Sequence, residues 1–181
     1  MGKLQIYTGD GKGKTTCSIG LSIRAAGSGM KVFFLQFDKG GEEEGLKYSE
    51  RNIIKNISNI TFVITGLNRR NDNGTFRFGV NEEDIEEGKR GLELSRDAII
   101  SRKYNLVVLD EIVTSIKTGL IKLEEVFELV ELHKKHNDIE LVMTGRSAPQ
   151  DLIDKADLVT EMKKIKHYFD EGQEARLGIE F

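Results

Sequence analysis

The chain has 181 residues, 38% of them hydrophobic and 31% charged, with a formal net charge of −3, so it suits one sizeable core and is short for two. Its charges are mixed, and the absence of a basic block or an acidic tail speaks against a nucleic-acid partner and against a disordered arm. The longest apolar runs are too short to span a bilayer, the single cysteine excludes a disulfide framework or a thiolate zinc site, and no signal peptide is expected at Met1. We read residues 1–181 as one cytoplasmic domain with no membrane partner.

The chain alternates strands and helices. Leu4 to Tyr7 is a short apolar strand that ends in a Gly-rich turn. Lys14 to Ala26 has Ile19, Ile23 and Ala26 spaced as on one helix face, and Gly27 and Gly29 stop it. Val32 to Phe37 is a near-continuous apolar run, as in a strand buried on both faces. Gly45 to Asn56 is expected to be helical, and Ile60 to Thr65 is the third strand. Gly66 to Gly79 is a polar loop rich in Asn, Arg and Gly, of a length that usually carries function. Asn81 is a good N-cap for a helix reaching about Lys103. Leu106 to Leu109 is the fourth strand, Leu123 to His136 a further helix, and Ile139 to Thr144 the fifth strand. Pro149 suits the first turn of another helix. A weaker strand is expected at Leu158 to Met162, and His167 to Phe181 has no period.

Such alternation predicts an α/β fold, a mostly parallel sheet with helices on both faces; a phosphate loop after the first strand would make it the P-loop NTPase (RecA-like) type. Ligands of these sheets bind at the carboxyl ends of the strands. The loops after Tyr7, Phe37, Thr65, Leu109 and Thr144 should therefore share one edge.

The first of those loops carries the strongest signal. Gly9, Asp10, Gly11, Lys12, Gly13, Lys14, Thr15 and Thr16 join the first strand to the first helix. Glycines allow the backbone to approach a ligand, successive N–H groups form an anion nest, and the helix start adds its positive dipole end. Lys14 supplies a point charge for phosphate and Thr15 a hydroxyl for Mg²⁺. The usual pattern is G-x-x-x-x-G-K-[ST], and here Thr8 occupies the first glycine position.

Asp110-Glu111 ends the apolar fourth strand, where a phosphate-loop protein holds its Mg²⁺. Either Asp110 binds through water while Glu111 reaches further, or the roles are reversed. Arg146, after the fifth strand, is a candidate for stabilising phosphate charge. His133 and His136 lie three apart on a helix, but no acidic or cysteine pattern completes a metal site. Cys17 reads as a small core residue.

Thr8-Gly-Asp-Gly-Lys-Gly-Lys-Thr-Thr16, Arg24-Ala-Ala-Gly27, Val32-Phe-Phe-Leu-Gln-Phe37, Val107-Val-Leu-Asp-Glu111 and Thr144-Gly-Arg146 resemble the bacterial ATP:corrinoid (cob(I)alamin) adenosyltransferases of the phosphate-loop type. The likeness continues through Asp151 to Glu161 and Lys166-His-Tyr-Phe-Asp-Glu-Gly172, and ends with Leu177-Gly-Ile-Glu180. It spans essentially the whole chain, and the shortened loop belongs to the pattern. The resemblance implies that the Co(I) of a corrinoid attacks C5′ of ATP and that inorganic triphosphate leaves. It implies ATP bound with its phosphates reversed along the loop, Lys14, Thr15 and the loop N–H groups stabilising the leaving triphosphate, and a role in cobalamin biosynthesis or salvage; Lys14 and, from its place on the edge, Arg146 are the candidate catalytic cations. It further implies a homodimer, with a flavoprotein as a candidate reductant.

Gly66, Leu67, Arg69 and Arg70 are the candidate corrinoid contacts. The family carries aromatic residues in this loop, where this chain has Leu67 and Arg69. Gly66 to Gly79 is expected to order around the corrinoid. Some members also begin with an extension that folds over the site, and none is expected here, so a more open site is expected.

Two other readings share the phosphate loop. One is a kinase or ATPase acting at the γ-phosphate, whose product is ADP. The other is a non-catalytic nucleotide-dependent binding module.

Overall fold

The computed structural model describes residues 2–40, 48–69, 77 and 79–181. Its sheet has six strands: β1 (Leu4–Thr8), β2 (Val32–Gln36), β3 (Ile60–Ile64), β4 (Leu106–Asp110), β5 (Glu140–Thr144) and β6 (Leu158–Glu161). They run in the order β3-β2-β4-β5-β1-β6, and every pairing is parallel. One strand, β5, lies between β1 and the acidic strand β4, with Leu4 beside Leu141 and Val107 also beside Leu141.

Alternation along the strands explains the layers. Val32, Phe34, Leu106, Val108 and Val142 face one apolar cluster, which is closed by α1 (Lys14–Gly27) and α2 (Arg51–Ile54). Phe33, Leu35, Val107, Leu109, Leu141 and Met143 face the other. That second cluster takes Leu92 and Ile99 from α3 (Glu82–Ile100), Ile112 and Val113 from α4 (Ile112–Lys117), and Val126 and Leu129 from α5 (Leu123–Lys135). Leu152 of α6 (Gln150–Ile153) completes it. The expected parallel sheet with helices on both faces is thus what the chain forms.

Local chemistry sets several boundaries. Asn81 caps α3 with a full capping box: its side chain accepts the Asp84 N–H, and the Asp84 carboxylate accepts the Asn81 N–H. Pro149 caps α6 from just outside, one position before its first turn.

The chain departs from expectation at several points. The helix expected over Gly45 to Asn56 is a single turn, Arg51–Ile54, among the described residues, which exclude Gly45 to Lys47. The stretch offers no 3.6-residue apolar stripe to bury: Ile54 is buried while Ile53 is 66% exposed. The helix α4 has no counterpart in the sequence pattern, because six residues are too few to show a period.

The face of α1 is as expected at Ala26, which is buried, and at Ile19, which packs against the core, but not at Ile23, which is 48% exposed. Lys14, Ser18, Ser22 and Ala25 also turn inward. The inward serines satisfy their hydroxyls on the helix itself, Ser18 on the Thr15 carbonyl and Ser22 on the Ser18 carbonyl, both at 2.8 Å. Small side chains let α1 lie close to the sheet. Cys17 is consequently exposed and not part of the core. Last, the aperiodic end contains a 3-10 turn, Tyr168–Glu171.

Helix α3 approaches the end of β2 through glycine. A Cβ on Gly91 would stand 2.4 Å from Cε1 of the buried Phe37 ring, whereas nothing lies within 4 Å of one on Gly20 in α1. Gly91→Ala should therefore cost about 1–3 kcal/mol through overpacking. Gly20→Ala should gain about 0.4–1 kcal/mol through lost freedom of the unfolded chain. Urea unfolding of the two variants, compared at equal m-values, checks both signs.

Candidate functional site

The loop after β1 is shaped by close backbone contact. Gly11 donates its N–H to the Met162 carbonyl at 2.6 Å, and Met162 returns its own N–H to the Thr8 carbonyl at 2.8 Å. A Cβ on Gly9 or Gly11 would stand within 2.6 Å of the Met162 carbonyl oxygen. Gly9 and Gly13 take φ of 100° and 120°, which only glycine adopts at little cost. Thr8 is buried, and its hydroxyl accepts the Ala148 N–H at 3.1 Å, which gives the residue at the first glycine position a use.

Lys14 is buried and its ammonium turns back into the loop, donating to the carbonyls of Gly9 at 2.9 Å and Gly11 at 2.7 Å. Burial, and then the charge of Arg146, pull its pKa below the ordinary lysine value, against the pull of Glu111, Asp10 and Asp110. An anion entering the loop meets a cation that is poorly solvated.

The acidic pair stands opposite the loop. Asp110 is fully buried at the end of β4. It accepts hydrogen bonds from Thr144 Oγ1 at 2.6 Å, Thr15 Oγ1 at 3.2 Å and Gln36 Nε2 at 3.4 Å. Burial, and then the neighbouring Glu111 charge, raise its pKa to about 6 in spite of Lys39 and the two hydroxyls. Glu111 begins the turn into α4 with a left-handed φ of 63°; its N–H reaches Thr144 Oγ1 at 3.0 Å, and its carboxylate accepts the Thr114 hydroxyl.

The cations are differently engaged. Arg146 donates to the Asp10 carbonyl at 2.5 Å, so its guanidinium is fixed against the loop. The Asp10 carboxylate accepts the Lys164 N–H at 3.0 Å. Lys12 points away from the loop: its ammonium donates to Glu180 at 2.7 Å, the Ile179 carbonyl at 2.8 Å and Tyr168 at 3.0 Å. Hydrogen bonds from Arg176, Lys12 and Tyr168 hold the Glu180 carboxyl well below the usual range. Thr15 and Thr16 line a cavity beside the loop together with Lys39, Tyr48 and Ile179.

Of the corrinoid candidates, Gly66 has a φ of 105° and donates its N–H to Glu87 at 2.9 Å. The loops after β2 and β3 are interlocked there, since a Cβ on Gly40 would stand 1.7 Å from the Gly66 carbonyl oxygen. Leu67 is half-buried. Arg69 is drawn inward, with its guanidinium 2.8 Å from Asp38 and 3.7 Å from Asp84. Arg70 and most of the segment expected to order around the corrinoid, residues 70–76 and 78, lie outside the described residues.

His133 is buried with Nε2 2.7 Å from the Ile139 carbonyl oxygen, a structural role. Among the described residues no three His, Cys, Asp or Glu side chains gather as a metal cage. No helix among them is long and apolar enough to cross a membrane.

Sequence reasoning missed Gln36, Lys39, Thr144 and the bracing by Met162. A signal existed for the first and third: each is a polar residue closing an apolar strand at the shared edge. Met162 contributes a carbonyl, which no residue type encodes.

The fold and the loop define a phosphate-loop α/β protein. A solved structure with the same fold, the flagellar accessory protein FlaH from Methanocaldococcus jannaschii, matches with a TM-score of 0.55 at 10% identity, over 88% of this chain and 70% of that one. The family model "ATP:corrinoid adenosyltransferase BtuR/CobO/CobP" matches residues 1–181. A corrinoid adenosyltransferase of Pseudomonas aeruginosa is 32% identical, covering 99% of this chain and 84% of its own length. One of Escherichia coli is also 32% identical, covering 99% and 86%. The chain belongs to the ATP:corrinoid adenosyltransferase family.

The raised Asp110 pKa has a stability consequence whose sign is fixed. The protonated carboxyl is favoured by folding, so its contribution is complete below pH 3.8 and is lost as pH rises through about 6. Asp110→Asn keeps a neutral group there at every pH. The ligand-free, metal-free variant should gain stability relative to the parent between pH 4 and 7, by roughly 3 kcal/mol at about 1.4 kcal/mol per unit. Thermal unfolding of both across that range reads the difference, and a constant gap would contradict the raised pKa.

Proposed function

We propose that the loop holds the triphosphate of ATP as a leaving group while the 5′-deoxyadenosyl group passes to the Co(I) centre of a corrinoid, in cobalamin biosynthesis or salvage. The observation that carries this reading is the meeting of Thr15 and Asp110. Their oxygens stand 3.2 Å apart, although they are separated by 95 positions in the chain. The phosphate loop and the acidic strand end therefore converge on one point, beside the N-terminus of α1.

Each residue then has a task. Attack by the cobalt lone pair forms a cobalt–carbon bond at C5′ and breaks the C5′–O bond, whose electron pair leaves on the triphosphate. Charge grows on the departing oxygen, and donors already fixed in place stabilise it at little reorganisation cost. Loop N–H groups other than that of Gly11, which Met162 holds, supply those fixed donors, Arg146, anchored on the loop at Asp10, adds a further charge, and Lys14 is the group that has to turn. Lys14 leaves the Gly9 and Gly11 carbonyls to meet phosphate oxygen, which is favourable because its charge is poorly solvated where it rests. No proton has to be moved, since Co(I) carries its own electron pair.

Thr15, Asp110 and Glu111 offer a hydroxyl and two carboxylates, which are the hard oxygens that Mg²⁺ takes alongside phosphate and water. Mg²⁺ bound there supplies positive charge to the triphosphate. Gly66 and Leu67, on the loop after β3, are the proposed corrinoid contacts. Arg69 braces that loop against Asp38 and Asp84. Arg70 is proposed from the sequence alone. A cytoplasmic homodimer, with a flavoprotein that reduces the corrinoid to Co(I), is the setting we infer.

Anaerobic incubation with ATP, Mg²⁺ and chemically reduced corrinoid tests the reaction. Light-sensitive adenosylcorrinoid should accumulate, and phosphorus NMR should show inorganic triphosphate in equal amount without ADP. Stoichiometric ADP would instead establish transfer at the γ-phosphate.

Replacing Asp110 by Asn and Glu111 by Gln together should abolish the Mg²⁺ dependence of ATP binding. Titration calorimetry with and without EDTA reads this, and a retained Mg²⁺ response would move the metal ligands elsewhere.

A further inference from the structure

Lys12, Lys14, Arg146 and Lys39 stand around the phosphate loop, and the first three are already bonded. Lys12 is held by Glu180, Tyr168 and the Ile179 carbonyl. Lys14 is held by two loop carbonyls and Arg146 by a third. Lys39 differs. Its ammonium has no hydrogen-bond acceptor and no carboxylate partner among the described residues, and it lies 4.5 Å from the centre of the Tyr48 ring. It opens into the cavity that Thr15 and Thr16 line from the other side.

Its main chain is rigidly set. The Lys39 N–H donates to the Thr65 carbonyl at 2.9 Å, and its own carbonyl accepts Arg51 Nη2 at 2.6 Å. Arg51 is buried, lies 4.5 Å from the same Tyr48 ring, and donates through Nε to Gln36 Oε1 at 3.0 Å. Gln36 in turn reaches Asp110 at 3.4 Å. The residue that ends β2 therefore ties the base of Lys39 to the acidic centre, while the aromatic face supports its head. An ammonium held over an aromatic ring, within the field of Asp110 and Glu111 but bonded to no carboxylate among the described residues, is a cation kept available for an anionic ligand.

We propose that Lys39 is a second cation of the triphosphate site, meeting phosphate oxygens of ATP, and of the inorganic triphosphate that leaves, from the β2 side of the cavity. The proposal rests on the adenosyl-transfer reading above. Tyr48 and Arg51 are positioning residues, since they act through Lys39. The arrangement is complementary to Lys14: one lysine rises from within the loop, and the other reaches in from the neighbouring strand end. The acids Asp110 and Glu111 repel an incoming triphosphate, and a cation beside them offsets part of that repulsion.

Calorimetric binding of inorganic tripolyphosphate with Mg²⁺, in the absence of corrinoid, is the test. Lys39→Gln should weaken tripolyphosphate and ATP alike by roughly tenfold or more, the scale of a lost charge-assisted contact. Lys39→Arg should recover most of that loss, and corrinoid KM should not move while kcat falls. On the unmutated chain, tripolyphosphate should protect Lys39 from acetylation by acetic anhydride, read by mass spectrometry, while the distant Lys55 stays reactive. That measurement decides the matter if Lys39→Gln does not fold.

Unchanged tripolyphosphate affinity in Lys39→Gln, or acetylation of Lys39 unaffected by tripolyphosphate, would overturn the proposal. If Lys14→Ala loses affinity and Lys39→Gln does not, Lys39 is eliminated and the loop reading stands. If the unmutated chain binds no tripolyphosphate and makes no adenosylcorrinoid, both readings fall together.

Discussion

The Asp110 carboxylate is the point on which the site hangs. It is fully buried, yet it touches groups from three other segments: Thr144 at the end of β5, Gln36 at the end of β2 and Thr15 in the first turn of α1. A buried carboxylate is costly unless it is hydrogen-bonded. Each partner lowers that cost, and each is thereby fixed in place. The strand order makes this possible, because β4 lies between β2 and β5 and all three end on the same edge. Three donors do not fully offset burial and the adjacent Glu111, which is why the group still prefers its proton up to about pH 6. A site that holds an acid at a disadvantage gains when a cation arrives.

The phosphate loop obeys a different constraint, which is space. Gly11 bonds the Met162 carbonyl, and β6 ends just before that residue. The weak strand β6, all four of whose residues are exposed, therefore buries little, and its importance lies in delivering Met162 to the loop. Lys12 then ties the loop to the last residues of the chain through Glu180, whose carboxylate also gathers Arg176. The C-terminal segment has little core of its own, and its exposed Phe169 and Leu177 contribute none. Polar contacts to the loop are what hold it.

This distinction marks how far the sequence could be read. Strands buried on both faces announce themselves as apolar runs, so β2, β4 and β5 were legible almost to the residue. The loop and its acidic partner were legible because their chemistry needs particular residue types in a particular order. Helix α1 was legible as a helix and only partly as a face: Ile19 and Ala26 meet the core as spaced, but Ile23 is exposed and packing turned Ser18 and Ser22 inward. Lys12 looked like a phosphate ligand because it stands between two glycines of the loop. Its ammonium is claimed by Glu180, a residue 168 positions away. Contacts of that separation leave no local mark.

Arg69 shows the same limit from the other side. As an arginine in a long polar loop, it read as a group available to a ligand. In the fold it faces Asp38, which has a left-handed φ of 52° next to Lys39, and Asp84, the residue that closes the α3 capping box. Arg77 joins the same acid with two hydrogen bonds, at 2.7 and 2.8 Å, and these lower the Asp84 pKa to about 2. One buried acid thus anchors both ends of the loop between β3 and α3, and Gly66 is locked to Gly40 at its start. The loop after β2 carries Lys39 and the loop after β3 carries Leu67, so the two proposed contacts, to phosphate and to corrinoid, share one scaffold. The two loops are joined directly there, by the close approach of Gly40 to the Gly66 carbonyl and by the bond from the Lys39 N–H to the Thr65 carbonyl.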